Sequence, residues 1–409
     1  MIRLYFVFFV IFSLPVNGQN RNVDSIQKDA TPEKIDSAYI HFVLNKWVEN
    51  YLLHEFDQPS NNSLGIRQLH DSILAQRIKK LDDNTPLDLR LTDEVRNIIK
   101  YYLGQNFDFV KNLKSRSEFY FPLFESVLDQ YGLPLELKFI PIIESALNPK
   151  AKSKAGATGL WQFMYATGKM QGLEISSYVD QRMDPFLSTD AACRYFKKLY
   201  DLFGDWGLAI AAYNAGPGNV TKAIRNSGGG KNFWEIRPYL PRETANYIPS
   251  LISAIYVMNY SGTHGVVSTD QKINYFQVDT IKAEKGIHLF DIAYLLSIDS
   301  SIIKDLNPQY KHQYVPPPKN NIPYVFYIPK NKMMELSFVA DSLYRMTSIR
   351  LQKTPLPPPW KLASGRVHIV RSGDTLGEIA EKYNLKVRDI KRWNNLRSTR
   401  IRIGQKLKI

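Results

Sequence analysis

One acid in this sequence sits among side chains that ought to keep water away from it. Residues 133–162 read LPLELKFIPIIESALNPKAKSKAGATGLWQ, and Leu135, Phe139, Ile142, Ile143 and Ala146 recur there at helical spacing around Glu144. Burial disfavours the charged form of a carboxyl, so the pKa of Glu144 should rise and the group should keep its proton near neutral pH. Cleavage of a glycosidic bond needs such a donor, because a proton must reach the leaving oxygen. Most glycosidases add a second carboxylate, yet no acid falls between Ser145 and Met170, and the next are Glu174, Asp180 and Asp184. Asn148-Pro149 should end the helix, since a residue before proline is pushed out of the α region, leaving Glu144 about one turn from a helix end. Pro141, inside the same expected helix, should kink it just before Glu144 and aim the carboxyl into a cleft.

The elements that must position this acid are helical. Thr92 followed by Asp93 and Glu94 is a helix start, and Val95, Ile98, Ile99 and Tyr102 recur at three- and four-residue steps. Further helices are expected over 117–131, 135–147, 188–203, 206–214 and 242–256, with loops near 148–159 and 215–232. No run of strands competes, so residues 92–262 read as one mainly α domain. Ser227 to Lys231 is glycine-rich but lacks the spacing of a phosphate loop.

At 409 residues the chain is long enough for two or three domains, and 44% hydrophobic with 12% aromatic residues fits globular ones. The net charge of +14 comes from dispersed basic residues without a zinc-finger or RNA-binding signature, so no nucleic-acid partner is expected. The seven histidines are scattered without ligand spacing, and neither a metal nor another cofactor is expected. Cys193 is the only cysteine, which excludes an internal disulfide and suits a small core residue. Residues 1–18 have a basic start, an apolar run from 4 to 16 and small residues at the cleavage positions, as in a secretory signal; an uncleaved anchor is the alternative. Residues 19–91 are polar with helical patches and carry no sign of chemistry.

Beyond residue 260 the character changes to short Ile-, Val- and Tyr-rich segments between short helices. Gly286, Leu289, Ile292-Ala293, Ile303 and Asn307 match Gly373, Leu376, Ile379-Ala380, Ile390 and Asn394, each pair 87 residues apart, which marks an internal repeat. Each unit reads strand, helix, helix, strand (βααβ, α+β). The first, 273–330, is interrupted by Val315-Pro316-Pro317-Pro318 before its last strand at 324–328. The second, 367–409, has strands at 367–370 and 405–409 and helices at 375–383 and 387–393. A proline-rich linker over 345–366, with its extended centre at 354–359, separates them.

Three blocks stand together in the helical domain: Glu144-Ser145, Gly159-Leu160-Trp161-Gln162-Phe163 and Ala212-Tyr213-Asn214-Ala215-Gly216. Over about residues 93–260 they resemble the soluble lytic transglycosylase domain, a lysozyme-like fold, in its membrane-bound D subtype. Glu243-Thr244-Ala245-Asn246-Tyr247 looks like that family's fourth block. The resemblance implies a single glutamate, Glu144, that protonates the glycosidic oxygen and then takes a proton from the muramic acid C6 hydroxyl, closing a 1,6-anhydro ring without water. It implies substrate contacts from Ser145, Gln162, Tyr213 and Asn214, and a Tyr247 hydroxyl that reaches toward Glu144. Ser145 has the alternative of bonding its own helix backbone, Tyr213 that of an ordinary core aromatic, and Trp161 that of core packing away from sugar. Gly216 should cap its helix in a left-handed conformation. Glu243, beside Pro238 and Pro241, suits the first turn of a helix and a structural role.

Residues 367–409 resemble a LysM module, which binds glycans that contain N-acetylglucosamine. The resemblance points to Gly373, Asp374, Thr375 and Leu376 in the first loop and to the stretch from Ile401 to Gly404. The first unit looks like a degenerate LysM in which Ile287 and His288 replace the Asp-Thr pair. The expected function is therefore that of an exported, monomeric peptidoglycan lytic transglycosylase acting on glycan strands in the periplasm or at the outer membrane or cell wall. The alternatives are a hydrolytic muramidase and a non-catalytic wall-binding scaffold.

Overall fold

Residues 247–259 are apolar around the whole helical circumference, and such a helix can only be a core element. In the computed structural model, which describes residues 69–409 apart from 154, 269–274, 358–366, 372 and 384, every residue of the Tyr247–Asn259 helix except Asn259 is buried. It lies against the helices Asp93–Leu103, Ile140–Ser145 and Trp206–Ala215. The expected secretory signal, most of the N-terminal region and the last part of the proline-rich linker, 358–366, lie outside the described residues. No helix among the described residues is long and apolar enough to cross a membrane.

The surrounding helices begin where their capping residues direct. Thr92 Oγ1 accepts from Val95 N, Asp205 Oδ1 from Leu208 N, and Asp184 Oδ1 from both Phe186 N and Leu187 N, with Pro185 as the first residue of the Pro185–Phe203 helix. The helix expected over 117–131 is longer at its start, running Phe107–Gln130 with Pro122 inside it.

The helix expected over 135–147 is two pieces, a 3-10 turn Leu135–Phe139 and an α-helix Ile140–Ser145. Pro141 therefore lies in the first turn of a helix, where no backbone donor is needed, and is not the mid-helix kink expected of it. Nor does Asn148-Pro149 end the helix. Ala146 and Leu147 do so, with φ of 51° and 57°, their amides turning back to Ile142 O and Pro141 O at 3.0 and 3.1 Å. Left-handed backbone costs a residue with a Cβ about 1–2 kcal/mol, and Arg116 Nη1 pins the turn by donating to Ala146 O at 2.9 Å.

Both C-terminal units have the expected strand-helix-helix-strand order. In the first, β1 (Val278–Lys282) pairs antiparallel with β4 (Val325–Pro329), enclosing the helices Leu289–Leu295 and Ser300–Leu306; a short pair, β2 (Ile287–His288) with β3 (Tyr314–Val315), is added. In the second, β5 (Val367–Ile369) pairs with β6 (Lys406–Lys408) around Leu376–Lys382 and Val387–Trp393. The repeat extends to its hydrogen bonds. Asn307 Nδ2 donates to Ile303 O and Tyr327 O while its Oδ1 accepts from Tyr327 N; Asn394 makes the same three bonds to Ile390 O, Lys408 O and Lys408 N.

The linker expected from residue 345 begins later. Residues Met333–Lys353 form a helix that buries Leu336, Leu343 and Thr347 against the first unit, and only from Thr354 does the chain leave it.

Candidate active site

Glu144, the penultimate residue of its short helix, is 7% exposed. Its Oε1 accepts a hydrogen bond of 2.6 Å from Tyr247 Oη, at the first position of the central helix. Burial, with the charge of Glu144 next, pushes the Tyr247 phenol well above its ordinary pKa, so it remains a donor. The same causes in the same order raise Tyr213.

The Gly159–Phe163 block is bound to this helix from several sides. Ser145 Oγ lies 2.9 Å from both Pro141 O and Leu160 O, so its one proton is shared between the acid's own helix and the block. Tyr213 Oη donates to Trp161 O at 2.6 Å, and its ring stacks on Phe196 at 4.4 Å, so this half-buried side chain ties the loop to the core. Trp161 is fully buried, its indole donating to Thr189 Oγ1. Gln162, at φ 48°, spends its amide nitrogen on Gly159 O and Ala151 O, at 2.8 and 3.2 Å. That leaves Oε1 as the acceptor that its side chain can offer a ligand.

Gly159 has no substitute. A Cβ there would stand 1.8 Å from Arg182 O. Arg182 is itself buried in a two-bond pair with Asp180 (Nε to Oδ1 and Nη2 to Oδ2, both 2.9 Å), and its Nη1 donates to Gly156 O and Phe163 O at 3.0 and 3.1 Å. Sequence reasoning missed Arg182; the two-residue spacing from Asp180 was the signal on offer.

The third and fourth blocks meet where Thr244 Oγ1 donates to Asn214 Oδ1 at 2.9 Å. The helix expected over 242–256 is broken at Asn246 into Arg242–Ala245 and Tyr247–Asn259, and Arg237, also missed, steadies the break by donating to Ala245 O and Glu94 Oε1. Glu243 is exposed in the first turn of the shorter piece. Gly216 does have a positive φ of 83°, but with ψ 146° it is extended rather than left-handed helical, because the next helix starts at Pro217 without a loop between.

The three acids next in sequence after Glu144 are all engaged. Glu174 accepts from Tyr324 Oη, Asp180 holds Arg182, and Asp184 caps its helix and accepts from Tyr327 Oη. Among the described residues no three His, Cys, Asp or Glu side chains form a group able to hold a metal.

In the terminal unit, Asp374 Oδ2 accepts from Arg371 N and meets His368 Nε2 at 2.7 Å, while Thr375 and Glu378 form a reciprocal capping box. Leu376 is buried, Ile401 packs against the same small core, and Gly373 and Gly404 take φ of 88° and 81°. Gly404 N donates to Val370 O, beside the strand that leads into the first loop.

Three families match the chain: Transglycosylase SLT domain over residues 123–235, LysM domain over 368–409, and Lytic transglycosylase MltD, LysM-like domain, over 277–345. Membrane-bound lytic murein transglycosylase D of Escherichia coli K12 is 30% identical over 343 residues, covering 80% of this chain and 71% of that protein. Soluble lytic murein transglycosylase of the same strain is 36% identical over 118 residues, 27% of this chain and 18% of the other. The solved 70 kDa soluble lytic transglycosylase of Escherichia coli aligns over 58% of this chain and 46% of its own at 22% identity, with a TM-score of 0.31, too low to compare the folds.

Proposed function

The chain belongs to the membrane-bound lytic murein transglycosylase D family, and on that premise we propose that Glu144 alone serves as acid and then as base in its reaction. It cleaves peptidoglycan by transglycosylation, with a lysozyme-like catalytic domain and LysM modules behind it. The observation that carries the single-acid reading is the buried Glu144 carboxyl fixed by Tyr247, while Glu174, Asp180 and Asp184 are each held by other partners.

The steps balance without water. Glu144 gives its proton to the oxygen of the β-1,4 bond between N-acetylmuramic acid and N-acetylglucosamine; the bond to muramic C1 breaks and the glucosamine end departs as an alcohol. The carboxylate then takes the proton of the muramic C6 hydroxyl, whose oxygen closes on C1. The acid is regenerated and the product ends in a 1,6-anhydro sugar. The substrate's acetamido group supports the charge at C1 in place of a second carboxylate, and the Gln162 Oε1 accepts from an acetamido N–H. Asn214, tied to Thr244, lines the same cleft, and Ser145 and Tyr213 act by holding the Gly159–Phe163 block.

The loop from Gly373 to Leu376 and the stretch from Ile401 to Gly404 give the terminal module its glycan contacts. Export, carried by residues 1–18, brings the enzyme to the wall. Mass spectrometry of sacculi digested by the wild type and by Glu144→Gln tests the reading. Anhydro ends from the wild type and none from the variant are expected; reducing muramic ends alone would make it a hydrolase, and an active variant would remove Glu144 from the chemistry.

A further inference from the structure

The first C-terminal unit keeps the framework of a glycan-binding module while its binding loop is covered. At the 87-residue offset, Gly286, Ile287, His288 and Leu289 stand where the terminal module has Gly373, Asp374, Thr375 and Leu376. His288 N donates to Thr347 Oγ1 at 3.1 Å, and that hydroxyl donates onward to Asp291 Oδ2 at 3.0 Å. Arg350 pairs with the fully buried Asp291 at 2.6 Å. Thr347 and Arg350 both belong to the Met333–Lys353 helix, which thus lies over the start of this loop's helix. On Gly286, the Tyr314 hydroxyl sits 2.1 Å from where a Cβ would be.

The same unit grips one segment of the catalytic domain, residues 174–184. Tyr324 Oη lies 3.0 and 2.9 Å from the two oxygens of Glu174, its one proton shared between them, and Lys311 bonds Tyr178 O through its amide and Ser176 O through its Nζ. Asp180 N donates to Gln309 O at 2.9 Å. Val179, fully buried, belongs to the unit's apolar core. Asp180 in turn clamps Arg182, whose Nη1 holds Gly156 O and Phe163 O and whose carbonyl fills the space beside Gly159.

We infer that this unit is a brace for the catalytic domain and not a second glycan-binding module: it fixes residues 174–184 and, through Asp180 and Arg182 as positioning residues, sets the loop that presents Gln162. The inference rests on the function proposed above for Gln162 and Glu144. Each partner in the path is a short-range, buried or half-buried contact, so loosening the grip frees the loop without touching a group that meets substrate.

The test uses the full-length double variant Tyr324→Phe/Lys311→Met, with Tyr324→Phe alone as the milder variant should the double one fold poorly. Expected are faster amide exchange in residues 156–163 with unchanged protection of the Tyr247–Asn259 helix, and a fall of about tenfold in kcat on short soluble glycan strands with KM little altered. Binding to purified sacculi should be that of the wild type. Unchanged loop exchange with unchanged kcat would overturn the brace, and a loss of sacculus binding would make the unit a glycan module after all. If the wild type yields no anhydro product, the proposed reaction fails, while the exchange and sacculus measurements still decide the brace.

Discussion

Tyr247 Oη lies 2.6 Å from Glu144 Oε1, joining the first position of the central helix to the penultimate residue of a helix 103 residues earlier in the chain. A buried carboxyl without a fixed donor is costly and rotates among poor geometries; this contact supplies one donor and one orientation.

Tyr247→Phe removes that donor and keeps the ring. Stability should fall by about 1–3 kcal/mol, the cost of a buried polar group left short of a partner. Turnover should fall further, by one to two orders of magnitude on the order of other misplaced catalytic groups. Thermal melts and anhydromuropeptide release together check this; full activity would show that Tyr247 does not orient the acid.

Gly159→Ala places a methyl 1.8 Å from a backbone oxygen that cannot swing aside, and at φ 87°. Overpacking of this kind costs about 1–3 kcal/mol or more before the left-handed strain is added. Denaturant unfolding should give a lower midpoint, and the Gln162 loop should lose order in amide exchange. Gly156→Ala meets open space at φ 90° and should cost only the backbone strain, so the pair separates clash from conformation.

Asp184 is pushed up to about 6 by burial, against the hydrogen bonds from Leu187 N, Tyr327 Oη and Phe186 N that favour its charged form. The folded chain thus keeps a proton that the unfolded chain releases near pH 4, and stability falls as pH rises from about 4 to 6. Asp184→Asn cannot titrate and keeps an oxygen for the helix cap. The variant should therefore gain on the wild type by roughly 2–3 kcal/mol between pH 4 and pH 7 in urea unfolding; a constant difference across that range would refute the assignment.

Asn394→Ala cuts two bonds between the end of the terminal module's second helix and its last strand, and a third back to Ile390 O in that helix. A module of this size has a small core, and we expect weaker sacculus binding with kcat on short soluble strands unchanged. Loss of both would mean that the module supports the catalytic domain as well.

Much of this was legible in the sequence because it is local. The cap at Thr92 and the spacing around Glu144 are read within a few residues, and the repeat survives as a single offset from Gly286 to Asn394. What escaped depends on partners far away. The division of residues 135–147 turns on Pro141 falling at a helix start, and its end turns on Arg116 reaching Ala146 O from another helix. The Met333–Lys353 helix was read in part as linker because only Leu336, Leu343 and Thr347 on it are buried while Met334 and Phe338 face outward, which blurs its period. Arg182 has Asp180 two residues away, but its bonds to Gly156 O and Phe163 O span 26 and 19 residues and carry no local signature.

The paired asparagines have a consequence for what the two units were free to become. Asn307 clasps a residue 20 positions ahead and Asn394 one 14 positions ahead, each with the same two bonds. The clasp measures distance in space and is indifferent to how much chain it spans, so the connecting segment can lengthen without unseating the final strand. A duplicated piece built on such a clasp can lose its ligand, take up new neighbours through the added chain and still be the same object underneath.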